Sequence, residues 1–378
     1  MWWTLGTLAA RAAEPLVVWH AYRGDEKSAL EHASARWTET SGVAVELVDL
    51  PFGAFDGKLE TAIPRGNGPD LFVANHANLG KWVAMGLLEP QPELAGLRPA
   101  TVDAVRLEGQ TWAVPLAFKS VVLLYDPAKI PSPPTTTDEL VAMAKANTGP
   151  GTYGLAYQAA EPYFSAGWLH AFGARAIDAD GGVHLDAAGH AEALAFSRRL
   201  AVDEHIAPQQ PTAELVTKLY RDGAVAFVIS GPWFVSEVDR PIAAAPLPIV
   251  SETGRPAQPY LTVDAAFVAT HRDRPAEASS LAAFLAGPVG AQIRQDEGHQ
   301  AVALASITSD DPLLAVLAAQ AANAVPMPSD PDVQNVFEAE ARALRDVLRG
   351  AATPQDAAAA AQTYYTILSK PAPPAVSP

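Results

Sequence analysis

The chain has 378 residues, 49% of them hydrophobic and 18% charged, enough for two or three domains with large buried cores and inconsistent with a disordered chain. Its formal charge of −16, with Lys and Arg scattered rather than striped, argues against nucleic acid and anionic lipid as partners. Having no cysteine, it has no disulfide, thiolate metal site, catalytic thiol or acylated N-terminal cysteine, and its compartment stays open.

The first residues, "MWWTLGTLAARAAEP", carry a short apolar run and then small residues at Ala10, Ala12 and Ala13, in the manner of a cleavage site without a basic start. Residues 1–13 are read as a short secretory leader, and no later segment approaches the ~20 apolar residues of a membrane span. "LVVWH" (16–20) is a continuous apolar strand. A helix follows in which Ala29, Leu30, Ala33 and Trp37 recur at helical spacing and Gly42 caps the end. "VAVELVDL" (43–50) is the next strand, which completes a βαβ unit and implies a mainly parallel sheet.

The pattern repeats. "LETAI" continues a helix after Lys58, "GPDLFVAN" (68–75) is a turn into a buried strand, and "LGKWVAMGLLEP" is an amphipathic helix stopped near Gly86. Ligands of such sheets sit beyond the carboxyl ends of the strands, so residues 21–27 and 75–78 become site candidates. After "PSPPTT", Thr136 and Glu139 form a capping box and a second lobe begins. "SVVLLYD" and "PYLTVDAAFVATH" (259–271) are apolar enough to cross between lobes, and "GAVAFVISGPWF" (223–234) is a buried strand running into a Gly-Pro-Trp turn. The last hundred residues read as alanine-rich helix, ending in the proline-rich "KPAPPAVSP".

No hydrolase, phosphate-loop or dinucleotide signature is present. "DADGGVHLD" (178–186) is a loop rather than a calcium site, because Gly189 stands where the bidentate Glu belongs. None of the nine histidines pairs with another at ligand spacing on one face, so no metal or other cofactor is expected.

Aromatic residues cluster at turns instead. In "YQAAEPYFSAGWLHAFG" (157–173), Pro162 suits the first helical position and puts Glu161 at the N-cap. Phe164, Trp168 and Phe172 then form one core stripe, while Glu161 and Tyr163 lie off it at the exposed start. There the acid accepts hydroxyl hydrogen bonds and the phenol ring stacks. Trp233, after Gly231 and Pro232, is a second flat ring of the kind that lies against a pyranose face, and it serves equally well as a core residue.

The order "GPDLFVANHANLGKWVAMGLLEP", "VDAVRLEGQTWAVPLAFKSVVLLYD", "EPYF", "DGAVAFVISGPWF", "QAVALASI" resembles the maltose/maltodextrin-binding proteins, the sugar-binding components of bacterial ABC importers. The resemblance runs from about Leu16 to about Leu368. It implies an α/β periplasmic binding protein type II fold, with two discontinuous lobes closing on a sugar at a hinge. The lobes it implies are residues 14–118 plus 266–308 and 119–265 plus 309–370, with 371–378 as a tail. By the same resemblance Glu161 and Tyr163 match the family's acid and aromatic pair, Trp233 its stacking tryptophan, and Arg23 and Asp25 its charged contacts after the first strand.

The chain departs from the family elsewhere. Ala74, Ala77 and Asn78 replace a Trp and an Asp-Arg pair, Lys119 replaces a Glu, and Phe337 and Ala341 replace a Trp and an Arg. Lys119 reverses charge and hydrogen-bond direction, which suits ring and hydroxyl oxygens or the counter-charge of an acidic sugar, unless it is a solvated rim lysine. The implied function is non-catalytic oligosaccharide binding in the periplasm by a monomer that delivers cargo to a membrane permease without inserting in the membrane itself. Another cargo on the same fold, such as a different or acidic sugar, a polyamine or a metal chelate, is the alternative. A glycosidase using Glu161 lacks a convincing second carboxylate.

Overall fold

The computed structural model describes residues 14–178 and 181–370. The expected leader (1–13) and tail (371–378) lie outside the described residues. The expected βαβ unit is present: β1 (Leu16–His20) pairs in parallel with β2 (Val45–Asp49) by way of α1 (Gly24–Ser41). α1 buries Ala29, Leu30, Ala33 and Trp37 along one face. It stops at Gly42, whose left-handed backbone (φ 72°) returns its N–H to the Thr38 carbonyl, a conformation that costs a residue with a Cβ far more. α2 (Phe52–Ala62) starts earlier than expected, at Phe52, and the helix Leu79–Ala84 stops short of Gly86.

β3 (Leu71–Asn75) joins β1 in parallel, but the sheet is mixed rather than mainly parallel. The long strand Tyr260–Val268 returns antiparallel between β3 and the strand Val114–Lys119. Among the described residues the larger sheet runs Ala301–Val302, Val114–Lys119, Tyr260–Val268, β3, β1, β2, with Val325–Pro326 attached to the start of the returning strand. Alternate residues feed opposite cores. Phe72 stacks on Phe267 (centroids 5.0 Å, 11°) with Trp82 edge-on to both, while Val18, Leu71, Val73 and Val268 face Leu281 and Leu285. Each such buried side chain contributes about 1.5–3 kcal/mol, so this layering dominates the fold's stability.

A second sheet orders Ala243–Ala245, Val122–Tyr125, Val225–Ser230 and Tyr153–Ala156. On its flank the capping box of Thr136 and Glu139 starts the helix Thr137–Ala146 as read from sequence. The helix Pro162–Ala171 carries the expected stripe. Trp168 is fully buried, it and Phe172 both meet Phe196 (5.4 and 5.6 Å), and Phe172 caps the helix rather than belonging to it.

The chain passes between the sheets in three adjacent segments. Ser120 Oγ donates to the Tyr260 carbonyl (2.9 Å), and the N–H groups of Val325 and Met327 donate to Pro259 and Leu261 (both 2.9 Å). Buried His76 staples two of them: it accepts from Val263 N–H at Nδ1 (3.0 Å) and donates from Nε2 to the Met327 carbonyl (3.0 Å). Burial lowers its pKa, which keeps the ring neutral and suits this donor–acceptor pattern. Strand pairing carries the larger sheet through Lys119 and from Tyr260 onward. Among the described residues no helix is long and apolar enough to cross a membrane.

Candidate functional site

Lys119 ends its strand at the crossing. Its Nζ lies 2.7 Å from Glu26 Oε1 and 2.8 Å from Asp264 Oδ2, with the side chain only 11% exposed, so it is neither a solvated rim lysine nor an unpaired counter-charge. Burial pushes its pKa down, but Asp264 and Glu26 together outweigh burial and hold the ammonium well above its ordinary range. The register against Val114–Lys119 shifts between Asp264 and Ala265, a bulge of the kind that re-aims a side chain. Glu26 sits in the first turn of α1 and is buried, whereas Asp25 beside it is exposed. The acid that reaches the crossing is thus Glu26 rather than the expected Asp25.

A relay stands behind this pair. Gln300 Nε2 donates to Glu26 Oε1 (3.1 Å), and Gln300 Oε1 accepts from Arg294 Nη1 (2.8 Å). The Arg294 guanidinium is buried and spends its other donors on the Leu116 and Leu285 carbonyls. The Tyr22 ring centroid lies 4.9 Å from Lys119 Nζ.

Opposite this polar floor stands an aromatic wall. Trp233 lies 5.9 Å from Lys119 Nζ, and its ring centroid is 6.3 Å from that of Tyr163 at 39°. The Gly-Pro-Trp turn explains the placement: the indole folds back over Gly231, where a Cβ would meet the ring at 2.1 Å, and Pro232 opens the short helix Pro232–Glu237. Tyr163 is half-buried, with its hydroxyl 3.4 Å from Thr262 Oγ1, which donates to the Lys119 carbonyl (3.3 Å). Burial pushes the Tyr163 hydroxyl up to about 12, so it stays protonated. Glu161 is at the N-cap as expected, exposed and without a side-chain bond to the helix.

The remaining expected residues are distributed around this centre. Phe337, half-buried, packs on Tyr260 (5.7 Å) in a small cluster that also takes in Ala77 and Tyr163. Asn78 is buried and its amide is occupied, donating to Asp56 (2.8 Å) and accepting from Gln334 (2.8 Å), so it ties α2 to the helix Val333–Leu348. Arg23 is an exposed rim group, 4.0 Å from Glu237, and next to it Gly24 (φ 48°) lies against Ser236. Two surface hollows lie elsewhere: one of about 280 Å³ beside Tyr157 and Arg349 and a more open one of about 440 Å³ beside Trp19 and Arg65. Neither combines paired charges with aromatic rings.

Sequence reasoning missed Asp264 and Gln300; Tyr22 and Glu26 fell inside the 21–27 candidate segment without being singled out. Asp264 did carry a signal, as the lone carboxylate in the buried run "YLTVDAAFV". Among the described residues no group of His, Asp and Glu could hold a metal ion. What the arrangement offers is hydrogen-bond donors and acceptors on one side and flat apolar faces on the other.

Known proteins share this architecture. The chain is 28% identical over 88% of its length to the maltotriose-binding protein of Pyrococcus abyssi, covering 77% of that protein. It is 24% identical over 90% of its length to the galactooligosaccharide-binding protein of Bacillus subtilis, covering 86% of it. Among solved structures, a Thermus thermophilus maltotriose-binding protein bound with maltotriose superposes with a TM-score of 0.86 at 24% identity, over 94% of this chain and 100% of that one. A cyclo/maltodextrin-binding protein complexed with maltotetraose gives 0.80 at 27% identity, over 94% and 98%. The two-lobed fold expected from the sequence is therefore the observed one. The family profile described as bacterial extracellular solute-binding protein matches residues 33–310, and the chain belongs to that family.

Proposed function

We propose that this protein is a non-catalytic, periplasmic receptor that binds a short malto-oligosaccharide at the crossing and delivers it to the permease of an ABC importer. The observation that carries the reading is the pair of rings, Tyr163 and Trp233, standing 6.3 Å apart beside Lys119 and its two carboxylates. A pyranose presents an apolar face to such rings and equatorial hydroxyls to such polar groups. Relatives named for maltotriose and galactooligosaccharide binding support a saccharide as cargo. In this reading the lobes, 14–118 plus 266–308 and 119–265 plus 309–370, close about the three crossing segments, and ligand favours the closed state by touching both.

The paired acids also support binding without catalysis. A glycosidase needs two carboxylates on opposite sides of the scissile bond, ~5–9 Å apart. Glu26 and Asp264 instead share one ammonium, at 2.7 and 2.8 Å, and Glu161 lies exposed at a helix start. A polyamine cargo would call on unpaired acids, which these are not. A monomer is the working assembly, since each closure needs two lobes of one chain only.

Titration with maltotriose, followed by tryptophan emission and calorimetry, tests the proposal. Saturable binding at one site, weakened about 30-fold in Trp233→Ala, is the expected result. Silence with linear α-glucans alongside binding of another sugar would sink the malto-oligosaccharide version.

A further inference from the structure

The floor of the site holds four charges that cancel one another: Glu26 and Asp264 against Lys119 and Arg294. Both cations are already held by protein groups. Lys119 lies between both acids, at 2.7 and 2.8 Å, and Arg294 is committed to Gln300 and two backbone carbonyls. Lys119 carries three N–H donors against two ion-paired carboxylate oxygens, so at least one donor remains for a ligand. Between the rings of Tyr22 and Trp233, at 4.9 and 5.9 Å from Nζ, that donor serves a hydroxyl or ring oxygen. An anionic sugar would meet no free cation there and two carboxylates close by.

We infer that Glu26 and Asp264 are the specificity-determining residues of this site: by holding Lys119 between them they make it a hydrogen-bond donor for uncharged sugars and bar sugars that carry a carboxylate or phosphate. This rests on the saccharide reading above and goes beyond it, because a lysine in a sugar site otherwise invites acidic cargo. Both acids are positioning residues, and their effect on selectivity runs through Lys119. Loss of either one leaves a surplus positive charge in a poorly solvated place, where charge contacts are strong.

The test is a thermal-shift and calorimetric panel on the full chain. Neutral members are maltotriose, trehalose, sucrose and lactose; charged members are maltotriose oxidised to a terminal uronic acid and a phosphorylated maltose. Wild type is expected to bind a neutral member and to bind its charged counterpart at least about 30-fold more weakly, equivalent to about 2 kcal/mol. Asp264→Asn and Glu26→Gln should narrow that ratio at least about fivefold, an effect that loss of stability alone does not produce because it moves both ligands together. A wild-type ratio near one, or variants that weaken both sugars equally, overturns the inference. A hit from a charged member alone overturns it while leaving the saccharide reading in place, and silence from every sugar removes both.

Discussion

The polar floor draws its groups from four distant places in the chain, at residues 22–26, 119, 264 and 300, whereas the central rings of the aromatic wall come from two short local motifs, Glu-Pro-Tyr and Gly-Pro-Trp. Around Lys119 the floor's partners, Tyr22, Glu26, Asp264, Arg294 and Gln300, are buried, while Tyr163 and Trp233 remain half-buried. A buried ion cluster cannot lose one member without leaving another uncompensated, so it belongs to the fold as much as to the site. A half-buried ring has no such obligation. The contrast therefore predicts that substitutions in the floor register mainly as lost stability, and substitutions in the wall as lost affinity.

Lys119→Met is the severest way to break that contrast. It leaves Glu26 and Asp264 with only Arg294, reached through Gln300, to offset them, and should lower unfolding free energy by about 3–5 kcal/mol. Denaturant unfolding at neutral pH checks this. An unfolding curve like that of wild type would show that the floor does not hold the fold.

Trp233→Ala should act in the opposite sense, weakening maltotriose by about 30-fold, close to 2 kcal/mol, as expected for a stacking anchor. The ligand-free melting temperature should stay near that of wild type. A large fall in stability without ligand would place Trp233 in the core and erase the distinction between the walls.

Glu340 sharpens the comparison from the other side. It lies on the helix that carries Phe337, is buried, and has an oxygen, Oε2, without a hydrogen-bond partner, whereas the acids of the floor are ion-paired with Lys119. Burial pushes its pKa from 4.5 to about 8. Between those values the folded protein keeps a proton that the unfolded chain releases, so stability falls as pH rises through the window. Buried His170 and His190, lowered by burial to about 3 and about 4, work in reverse and cost stability as pH drops below 6.5. His20 and His76 are lowered by burial as well, so the difference between wild type and Glu340→Gln, which share these histidines, is what isolates Glu340: between pH 6.5 and 8 that difference should fall by about 2 kcal/mol. Wild-type and Glu340→Gln profiles that run parallel across that interval would contradict a neutral Glu340.

The mildest change is expected at the rim. Arg23 is 68% exposed and stands 4.0 Å from Glu237, so Arg23→Ala should alter maltotriose affinity less than about twofold by calorimetry. A greater loss would mean that the rim belongs to the floor.

Several features of the fold were legible because their causes are local. The βαβ start, the Gly42 cap, the Thr136 capping box, and the Trp168 stripe each depend on residues within a few positions of one another. The mixed character of the larger sheet was not legible, since Tyr260–Val268 looks the same from sequence whether it enters parallel or antiparallel. Asn78 shows the same limit: it was placed near the site, but only the fold brings Asp56 and Gln334 to occupy its amide.

The sequence by itself determined the α/β class, the succession of elements and the positions of Tyr163 and Trp233, because helical periodicity, proline at a helix start and glycine under an indole act over a single turn. Tertiary structure alone decided what Lys119 is. Its character depends on Glu26, 93 positions earlier, and Asp264, 145 positions later, which strand pairing and a bulge bring within 2.8 Å. Charge at such a site follows from distance in space and exclusion of water, neither of which residue order records.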